Sequence, residues 1–196
     1  MEGSGKYITE EAYFAYEASI EGKAEYHDGQ IIARGPETKR HGQIQANLTA
    51  QLVMGLKGKP SMVYSSSVKV HIPATNSYVY PDLSVEGGNA DADSDNESIL
   101  RTPILIVEVL SETTATYDVG AKFFSYQRIP TLMEYVLVDQ FSPTINVIRR
   151  NEEGAWGIKT SSGLEDFIEL QSLGLRIPLA AIYNRVLFPS EKRSLI

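Results

Sequence analysis

The order of hydrophobic patterns along the chain predicts an α/β (α+β) domain of ordinary soluble type. Residues 104–110 (ILIVEVL) and 134–139 (EYVLVD) are short and almost continuously apolar, which is typical of strands covered on both faces. Helical periodicity precedes the first of these runs, and a third helix is expected between the two. The 196 residues, of which 42% are hydrophobic and 22% charged, suffice for one domain with a sizeable core.

The first predicted helix begins after Thr9, a good N-cap residue, and ends at Ser19 or Ile20. Glu10 and Glu11 fall in its first turn, where the helix dipole favours negative charge. The Glu-Gly-Lys sequence at 21–23 ends the helix. Its expected inner stripe consists of Ala12, Tyr13, Tyr16 and Ile20.

Residues 24–33 predict a β-hairpin, because Asp28-Gly29 suits the two positive φ angles of a type I′ turn. Glu25 lies on its first arm. After Gly35-Pro36 the periodicity becomes helical, which predicts a second helix from Thr38 or Lys39 to Leu56. The residues expected on the buried face of this helix are Ile44, Leu48, Leu52, Val53 and Leu56.

A β-rich region follows, with strands predicted at residues 62–64, 68–72 and 78–85. Residues 86–98 are acidic and rich in Gly, Asn and Ser, which predicts an exposed loop. An EF-hand calcium loop is a tempting interpretation of Asp91-Ala-Asp-Ser-Asp95. It is disfavoured because Asn96 stands where that loop requires glycine, and because flanking helices are not evident.

The second half of the chain predicts a buried strand, a helix, another buried strand and a peripheral hairpin. The helix is expected to begin near Asp118 and to end before Pro130, since proline cannot continue a helix. The expected strands are 104–110, 134–139, 144–149, 155–161 and 166–170, followed by a short helix at 178–183.

Composition restricts the compartment and the class of partner. The net charge of −7 and the isoelectric point of about 5.0 argue against a general nucleic-acid coat protein, although a local basic groove stays compatible. The absence of cysteine excludes disulfides and thiolate metal sites. The N-terminus lacks an apolar signal core and no run is long enough to span a membrane, so we expect a cytoplasmic protein without a membrane partner.

Two acidic residues on apolar strands suggest a site for a divalent cation. Glu108 interrupts the run 104–110, and Asp82 lies in the strand-like run 77–85. A buried carboxylate is costly unless it is paired, protonated or bound to a metal. With the Val109 carbonyl they could hold Mg²⁺, which prefers oxygen ligands. Lys122 could then stabilise developing charge, although an outward-facing Glu108 and a surface Lys122 are the structural alternatives.

These residues carry a resemblance to a known group of proteins. Pro81-Asp82 followed by Glu108-Val109-Leu110 resembles the PD-(D/E)XK nuclease superfamily. A wider string resembles the Uma-type family of restriction endonuclease-like proteins, a domain of unknown function, over about residues 9–183. It comprises Glu25-Tyr26 with Asp28-Gly29, His41, residues 80–85 (YPDLSV), 106–111 (IVEVLS), Tyr117-Asp118 with Gly120 and Lys122-Phe123, Tyr126 with Ile129-Pro130, and 135–140 (YVLVDQ).

The resemblance implies a restriction-endonuclease-like fold, with a mixed central sheet flanked by helices in a single domain spanning residues 1–196. It also implies that Asp82 and Glu108 bind the metal and that Glu25 assists. The sequence departs from the superfamily motif at Leu110, where a lysine is usual, and the Uma-type pattern moves that lysine to Lys122. Glu112, where proline is common in relatives, is a second departure.

The resemblance implies an endonuclease that hydrolyses phosphodiester bonds of DNA with Mg²⁺, or with Mn²⁺. One alternative is a catalytically inactive nuclease fold that binds nucleic acid or protein, and another is a purely structural homodimer. A homodimer is also compatible with cutting both strands.

His41 is expected to cap or pack, with a phosphate contact as the alternative. For Phe123, Phe124 and Tyr126 a core position is favoured over base stacking, and for Lys39-Arg40, Lys57 with Lys59 and Arg149-Arg150 a solvated surface is favoured over phosphate contacts.

Overall fold

The computed structural model describes residues 7–88, 96–111 and 118–189, and these segments form two large β-sheets, a two-stranded sheet and the helices packed against them. The acidic segment Asp91–Asp95, considered above for calcium, and Glu112 lie outside the described residues. The helices are α1 Glu10–Ser19, α2 Lys39–Gly55, α3 Phe123–Tyr126 and α4 Leu179–Ile182, with a π-helical turn Asp118–Lys122 leading into α3 and a 3₁₀ turn at Pro73–Thr75.

The strands number thirteen among the described residues. They are β1 Ala24–His27, β2 Gln30–Ala33, β3 Met62–Ser65, β4 Lys69–Ile72, β5 Ser77–Val79, β6 Leu83–Glu86, β7 Ile99–Leu100, β8 Pro103–Leu110, β9 Glu134–Asp139, β10 Thr144–Arg150, β11 Trp156–Ser162, β12 Phe167–Leu170 and β13 Leu175–Pro178.

A six-stranded sheet of order β11-β10-β9-β8-β6-β3 forms the centre of the molecule. Strands β8 and β9 are parallel and their neighbours pair antiparallel, so the predicted mixed central sheet is confirmed. The predicted hairpin β10–β11 extends one edge of this sheet.

A second, five-stranded sheet of order β2-β1-β5-β4-β7 carries the N-terminal hairpin. The prediction of one strand over residues 78–85 was wrong, because β5 and β6 belong to different sheets. The break falls at residues 80–82, where Pro81 has no backbone N–H to donate to a ladder. This crossover places Asp82 at the junction between the two sheets.

The two faces of the central sheet bury different partners. One face packs against α2 and α4, through a cluster that includes Leu48, Val107 and Val109. The other packs against α3 and the second sheet, through a cluster that includes Ile106, Tyr126 and Tyr135. Alternate residues of β8 therefore enter opposite layers, and Glu108 shares the face of Ile106.

Local signals for the first elements are confirmed. The Thr9 hydroxyl accepts a hydrogen bond from Ala12 N–H at 3.3 Å and caps α1. Thr38 caps α2 in the same way, accepting from His41 N–H at 3.1 Å. The hairpin turn has φ of 42° at Asp28 and 90° at Gly29, as a type I′ turn requires.

Several predicted packing details were wrong. In α1 only Tyr13 is fully buried, while Tyr16 is 40% exposed, because a helix at the edge of the molecule buries a narrow stripe. Val53 of α2 is 54% exposed. The helix expected from Asp118 to Pro130 is shorter and begins as a π-helical turn. Strands β7 and β13 were not predicted.

Candidate functional site

A cleft of ≈ 430 Å³ opens where the N-terminal hairpin, the start of α2 and the ends of β6 and β8 meet. All four side chains that the sequence singled out for catalysis line it, and each of them is about 1% exposed. They are Glu25, Asp82, Glu108 and Lys122. Buried ionisable groups that converge on one cleft are typical of functional sites.

The Asp82 carboxylate is held from several sides. Its Oδ2 accepts a hydrogen bond from Val109 N–H at 2.6 Å, which fixes it against the end of β8. Its Oδ1 lies 3.2 Å from Arg34 Nη2 and 3.1 Å from His41 Nε2. Burial alone would raise the pKa of Asp82, but the contacts with His41, Val109 N–H and Arg34 hold it below its usual range.

Glu108 projects from β8 into the layer that contains α3. Its Oε1 accepts hydrogen bonds from Lys122 Nζ at 2.9 Å and from Tyr126 Oη at 2.8 Å. Burial raises the pKa of Glu108 despite the Lys122 ammonium, and repulsion from Asp82 and Asp118 acts in the same direction. Tyr126 is fully buried, so its predicted core position is confirmed, whereas the same prediction for Phe124 was wrong because its side chain is 54% exposed.

The Lys122 ammonium lies at the centre of the carboxylates. The π-helical turn that ends at Lys122 directs its side chain inward, and Nζ lies 3.2 Å from Glu25 Oε1 and 3.4 Å from Asp118 Oδ1 in addition to Glu108. Burial alone would lower the pKa of Lys122, but these three carboxylates raise it, so the side chain stays charged.

Glu25 reaches the site from the first arm of the hairpin. Its Oε1 accepts from Tyr80 N–H at 3.0 Å and lies 3.3 Å from Arg34 Nη1. Although burial alone would raise the pKa of Glu25, Lys122, His27 and Arg34 lower it to about 2. The hairpin thus carries both an acid of the site and Arg34, which follows β2 directly.

The backbone of Val109 faces the same junction. The Leu110 carbonyl accepts a hydrogen bond from Gln140 Nε2 at 2.8 Å, on the side of β9. Successive strand residues direct their N–H and C=O groups to opposite sides, and Val109 N–H already points to Asp82. The Val109 carbonyl, a ligand suggested by the sequence, therefore faces the Asp82 side.

Carboxyl groups outnumber permanently charged cationic groups around the cleft. The described residues that line it include five carboxylates and three permanent cations. The carboxylates are Glu25, Glu37, Asp82, Glu108 and Asp118, and the cations are Arg34, Arg40 and Lys122. Such an excess in a buried site, with carboxylate and carbonyl oxygens directed inward, fits a hard divalent cation.

A second group of ligand-type atoms adjoins Asp82. The donor atoms of Glu37, His41 and Asp82 all lie within 4.8 Å of one another. His41, expected to cap or pack, is 5% exposed and lines the cleft beside Asp82. Sequence reasoning missed Glu37, Arg34 and Asp118. The four-residue spacing of Asp118 and Lys122 was an available signal, because it places both on one side of a helical turn.

Four residues of the basic clusters weighed for phosphate binding form hydrogen bonds within the structure, and one of the four also lines the cleft. Arg149 bonds Glu134 at 2.7 Å and Arg150 bonds the Gln127 carbonyl at 2.6 Å. Lys59 bonds the Leu173 carbonyl at 2.6 Å. Arg40 bonds the Leu187 carbonyl at 2.9 Å but also lines the cleft.

Fold comparison defines the class of protein. The chain superimposes with a TM-score of 0.73 and 16% identity on the crystal structure of a "putative nuclease belonging to DUF820" from Anabaena variabilis, covering 92% of this chain and 99% of the other. At this identity the likeness concerns the fold, which is that of a nuclease-like α+β domain. Across the parts of the chain that the structure describes, the helices are too short or too polar to cross a membrane.

Residues 10–180 match the model of the Uma2 family, described as "Putative restriction endonuclease", and the chain belongs to this family. The chain is 35% identical over 181 residues to the uncharacterized protein slr1290 of Synechocystis sp., covering 92% of this chain and 94% of the relative. It is 28% identical over 151 residues to a second Synechocystis protein, sll1609, covering 77% of this chain and 85% of that relative. The family supports a nuclease-like function.

Proposed function

We propose that this protein is a Mg²⁺-dependent endonuclease that hydrolyses phosphodiester bonds of DNA. One observation carries the proposal. Asp82, Glu108, Glu25 and Lys122, which lie as much as 97 positions apart in the sequence, converge as buried groups on one open cleft. Membership in the Uma2 family supports the reaction class.

Asp82, Glu108 and the Val109 carbonyl are the groups that would hold the cation. Their oxygen donors suit Mg²⁺, and Mn²⁺ accepts the same kind of ligand. When bound, the cation supplies Lewis acidity, polarising the phosphoryl oxygen and lowering the pKa of a coordinated water. The convergence of carboxyl oxygens on the cleft supports this assignment.

Lys122 acts in this scheme as a positioning residue. Its ammonium contacts Glu25, Glu108 and Asp118, and so fixes two of the acids relative to each other. It also favours the ionised form of Glu108, the form that binds a cation. The position at which a lysine is usual is occupied by Leu110 in this chain. Lys122 supplies the ammonium from the π-helical turn instead.

Arg34 is the cation best placed to meet the substrate. Its side chain is 18% exposed, lines the cleft and contacts both Glu25 and Asp82. A guanidinium can bind a phosphate through two parallel hydrogen bonds, which orients the phosphodiester for attack by water. Arg40 at the same cleft adds a second positive charge for the backbone of the nucleic acid.

Cleavage of a supercoiled plasmid in Mg²⁺ or in EDTA tests the proposal. Asp82→Asn keeps an amide oxygen that accepts from Val109 N–H but removes the charged ligand. We expect wild-type protein to cut only with Mg²⁺, and Asp82→Asn to cut at least about 100-fold more slowly, because charge stabilisation in the transition state is lost. Glu153→Gln, in an exposed hairpin turn, is the matched control and should cut as wild type does.

Equal cleavage by folded Asp82→Asn and wild type would contradict the assignment. A gel-shift assay separates the second candidate, an inactive binding module. DNA binding in EDTA, without cleavage under Mg²⁺ or Mn²⁺, would favour that module. A homodimer stays a prediction, and sedimentation equilibrium on the full chain tests it.

A further inference from the structure

A second possible cation site lies at the start of α2, on the other side of Asp82 from Glu108. His41 Nε2 lies 3.1 Å from Asp82 Oδ1 and 3.7 Å from Glu37 Oε2. Neighbouring ligands around one metal ion lie about 3.0–3.5 Å apart when the metal–ligand bonds are 2.0–2.2 Å. The contact with Asp82 falls in this range, and the contact with Glu37 exceeds it slightly. The three donors come from the loop before α2, from α2 itself and from the sheet junction.

The His41 ring nitrogen itself points to a ligand. The imidazole is more than nine-tenths buried, and its contact with Asp82 Oδ1 does not have the geometry of a hydrogen bond. Among the described residues, Nε2 therefore has no hydrogen-bond partner. The two carboxylates form ion pairs with this nitrogen, but neither contact is a well-aligned hydrogen bond, and a metal ion between the ligands would satisfy the nitrogen directly.

The type of ligand indicates the type of metal. Imidazole nitrogen binds Mn²⁺, Co²⁺ and Zn²⁺ in preference to Mg²⁺, which prefers oxygen and retains its waters. Histidine nitrogen and carboxylate oxygen are both protein ligands of such ions. Glu37 is 37% exposed at its side chain, so an ion can reach the site from solvent.

We propose that Glu37, His41 and Asp82 form a second divalent-cation site, selective for transition metals such as Zn²⁺ and Co²⁺ over Mg²⁺. The inference extends the proposed function, because Asp82 would serve both cations. Arg34 also contacts Asp82 Oδ1, so its guanidinium weakens the site and limits it to ions with strong affinity for nitrogen.

Titration of Co²⁺ into the metal-free full-length protein tests this site directly. The visible absorption of Co²⁺ changes when the ion exchanges water for protein ligands, so it reports binding. We expect His41→Gln and Glu37→Gln each to weaken Co²⁺ binding at least about tenfold. Substitution of residues that only hydrogen-bond to metal ligands already lowers metal affinity by about this factor. His71→Gln is the matched control, because His71 stacks on Tyr78 outside the cleft, and it should bind as wild type does.

A measurement without any substitution guards against misfolded variants. The chain has three histidines, so ¹⁵N resonances of their rings can be followed individually. Zn²⁺ should shift the Nε2 resonance of His41 and leave that of His71 unchanged. Unshifted His41, or Co²⁺ binding by His41→Gln as tight as that of wild type, would overturn the inference.

Comparison with Mg²⁺ separates this inference from the proposed function. Glu108→Gln should lose Mg²⁺ binding measured by calorimetry and retain Co²⁺ binding that depends on His41. Failure of wild type to bind Mg²⁺, with His41-dependent Co²⁺ binding intact, would reject the Mg²⁺ site and support the second site alone. Co²⁺ binding that is abolished by Glu108→Gln and unaffected by His41→Gln would reject the second site and support the site at Asp82 and Glu108 alone.

Discussion

At the scale of single residues, the site depends on one buried ammonium. Lys122 is 1% exposed and contacts three carboxylates that are themselves buried. Removing one partner from a buried ionic cluster is costly because the remaining charges have lost both water and their counter-ion. Lys122 therefore contributes to folding as well as to the geometry of the site.

Lys122→Gln should lower the free energy of unfolding by about 3–5 kcal/mol, measured by urea denaturation. Lys159→Gln is the matched control, because Lys159 pairs with Glu169 at 3.2 Å but is 53% exposed. An exposed pair is worth at most about 1 kcal/mol. Equal losses in the two variants would show that the buried cluster does not stabilise the fold.

The sequence identified the acids and the lysine of the site but not their neighbours. Asp82 and Glu108 stand out because a carboxylate in an apolar strand requires a reason. Arg34 offers no such signal, because an arginine after a short exposed strand is ordinary. Its position at the cleft follows from tertiary structure, which brings it to Asp82 across 48 positions.

At the scale of elements, the N-terminal hairpin delivers Glu25 and Arg34 to the cleft. Its turn depends on Gly29, whose φ of 90° disfavours side chains and whose added Cβ would overlap the Tyr7 ring. The turn therefore sets the register in which Glu25 pairs with Ile32, and so the direction of both side chains at the cleft.

Gly29→Ala should lower the free energy of unfolding by about 1–3 kcal/mol through backbone strain and the clash with Tyr7. Gly42→Ala in α2 is the opposite case, because the added Cβ meets nothing within 4 Å and φ is helical. It should stabilise the protein by up to about 1 kcal/mol. Urea denaturation of both variants checks the expected difference in sign.

Helix α1 is attached to the second sheet through Glu17, and this attachment should depend on pH. The Glu17 carboxylate contacts Lys69, Tyr80 and Tyr13. Burial alone would raise the pKa of Glu17, but these contacts hold it below its ordinary value. The folded state thus favours the ionised form, which stabilises the protein above the ordinary carboxyl pKa and stops doing so as pH falls through the lowered value.

Glu17→Gln should therefore destabilise the protein at neutral pH and lose most of this effect at an acidic pH below the lowered pKa of Glu17, where the wild-type carboxyl is also uncharged. Thermal unfolding of both proteins at the two pH values measures the difference. Glu11→Gln, exposed in the same helix, should show little effect at either pH. A Glu17→Gln deficit that grows in acid would contradict this account.

The predictability of the elements follows from where their determinants lie. The hairpin at Asp28-Gly29 and the start of α2 at Thr38 were predicted because their signals are local. The division of residues 77–86 between two sheets was missed, because both halves are apolar and Pro81 is as compatible with a continuous edge strand as with a break. Strands as short as β7 depend on their partners, and two residues carry no pattern.

At the scale of the whole molecule, the cleft forms where the two sheets meet. The crossover at Pro81-Asp82 joins them, β8 supplies Glu108 from the central sheet, and the hairpin supplies Glu25 from the second sheet. Neither sheet alone contains the site. The repulsion among its buried carboxylates is a cost of assembly, which a bound cation would reduce and so stabilise the folded state.

Calorimetric titration of Mg²⁺ into wild type and Glu108→Gln tests the central claim most directly. Burial raises the pKa of Glu108 and so favours the protonated form, which glutamine resembles. The substitution should therefore leave the fold intact. We expect saturable Mg²⁺ binding by wild type, weakened at least about tenfold in Glu108→Gln. Loss of a residue that only hydrogen-bonds a metal ligand already lowers metal affinity by about this factor, and loss of a ligand itself should cost at least as much. Equal binding by both proteins, or none by wild type, would contradict the account and make the carboxylates structural.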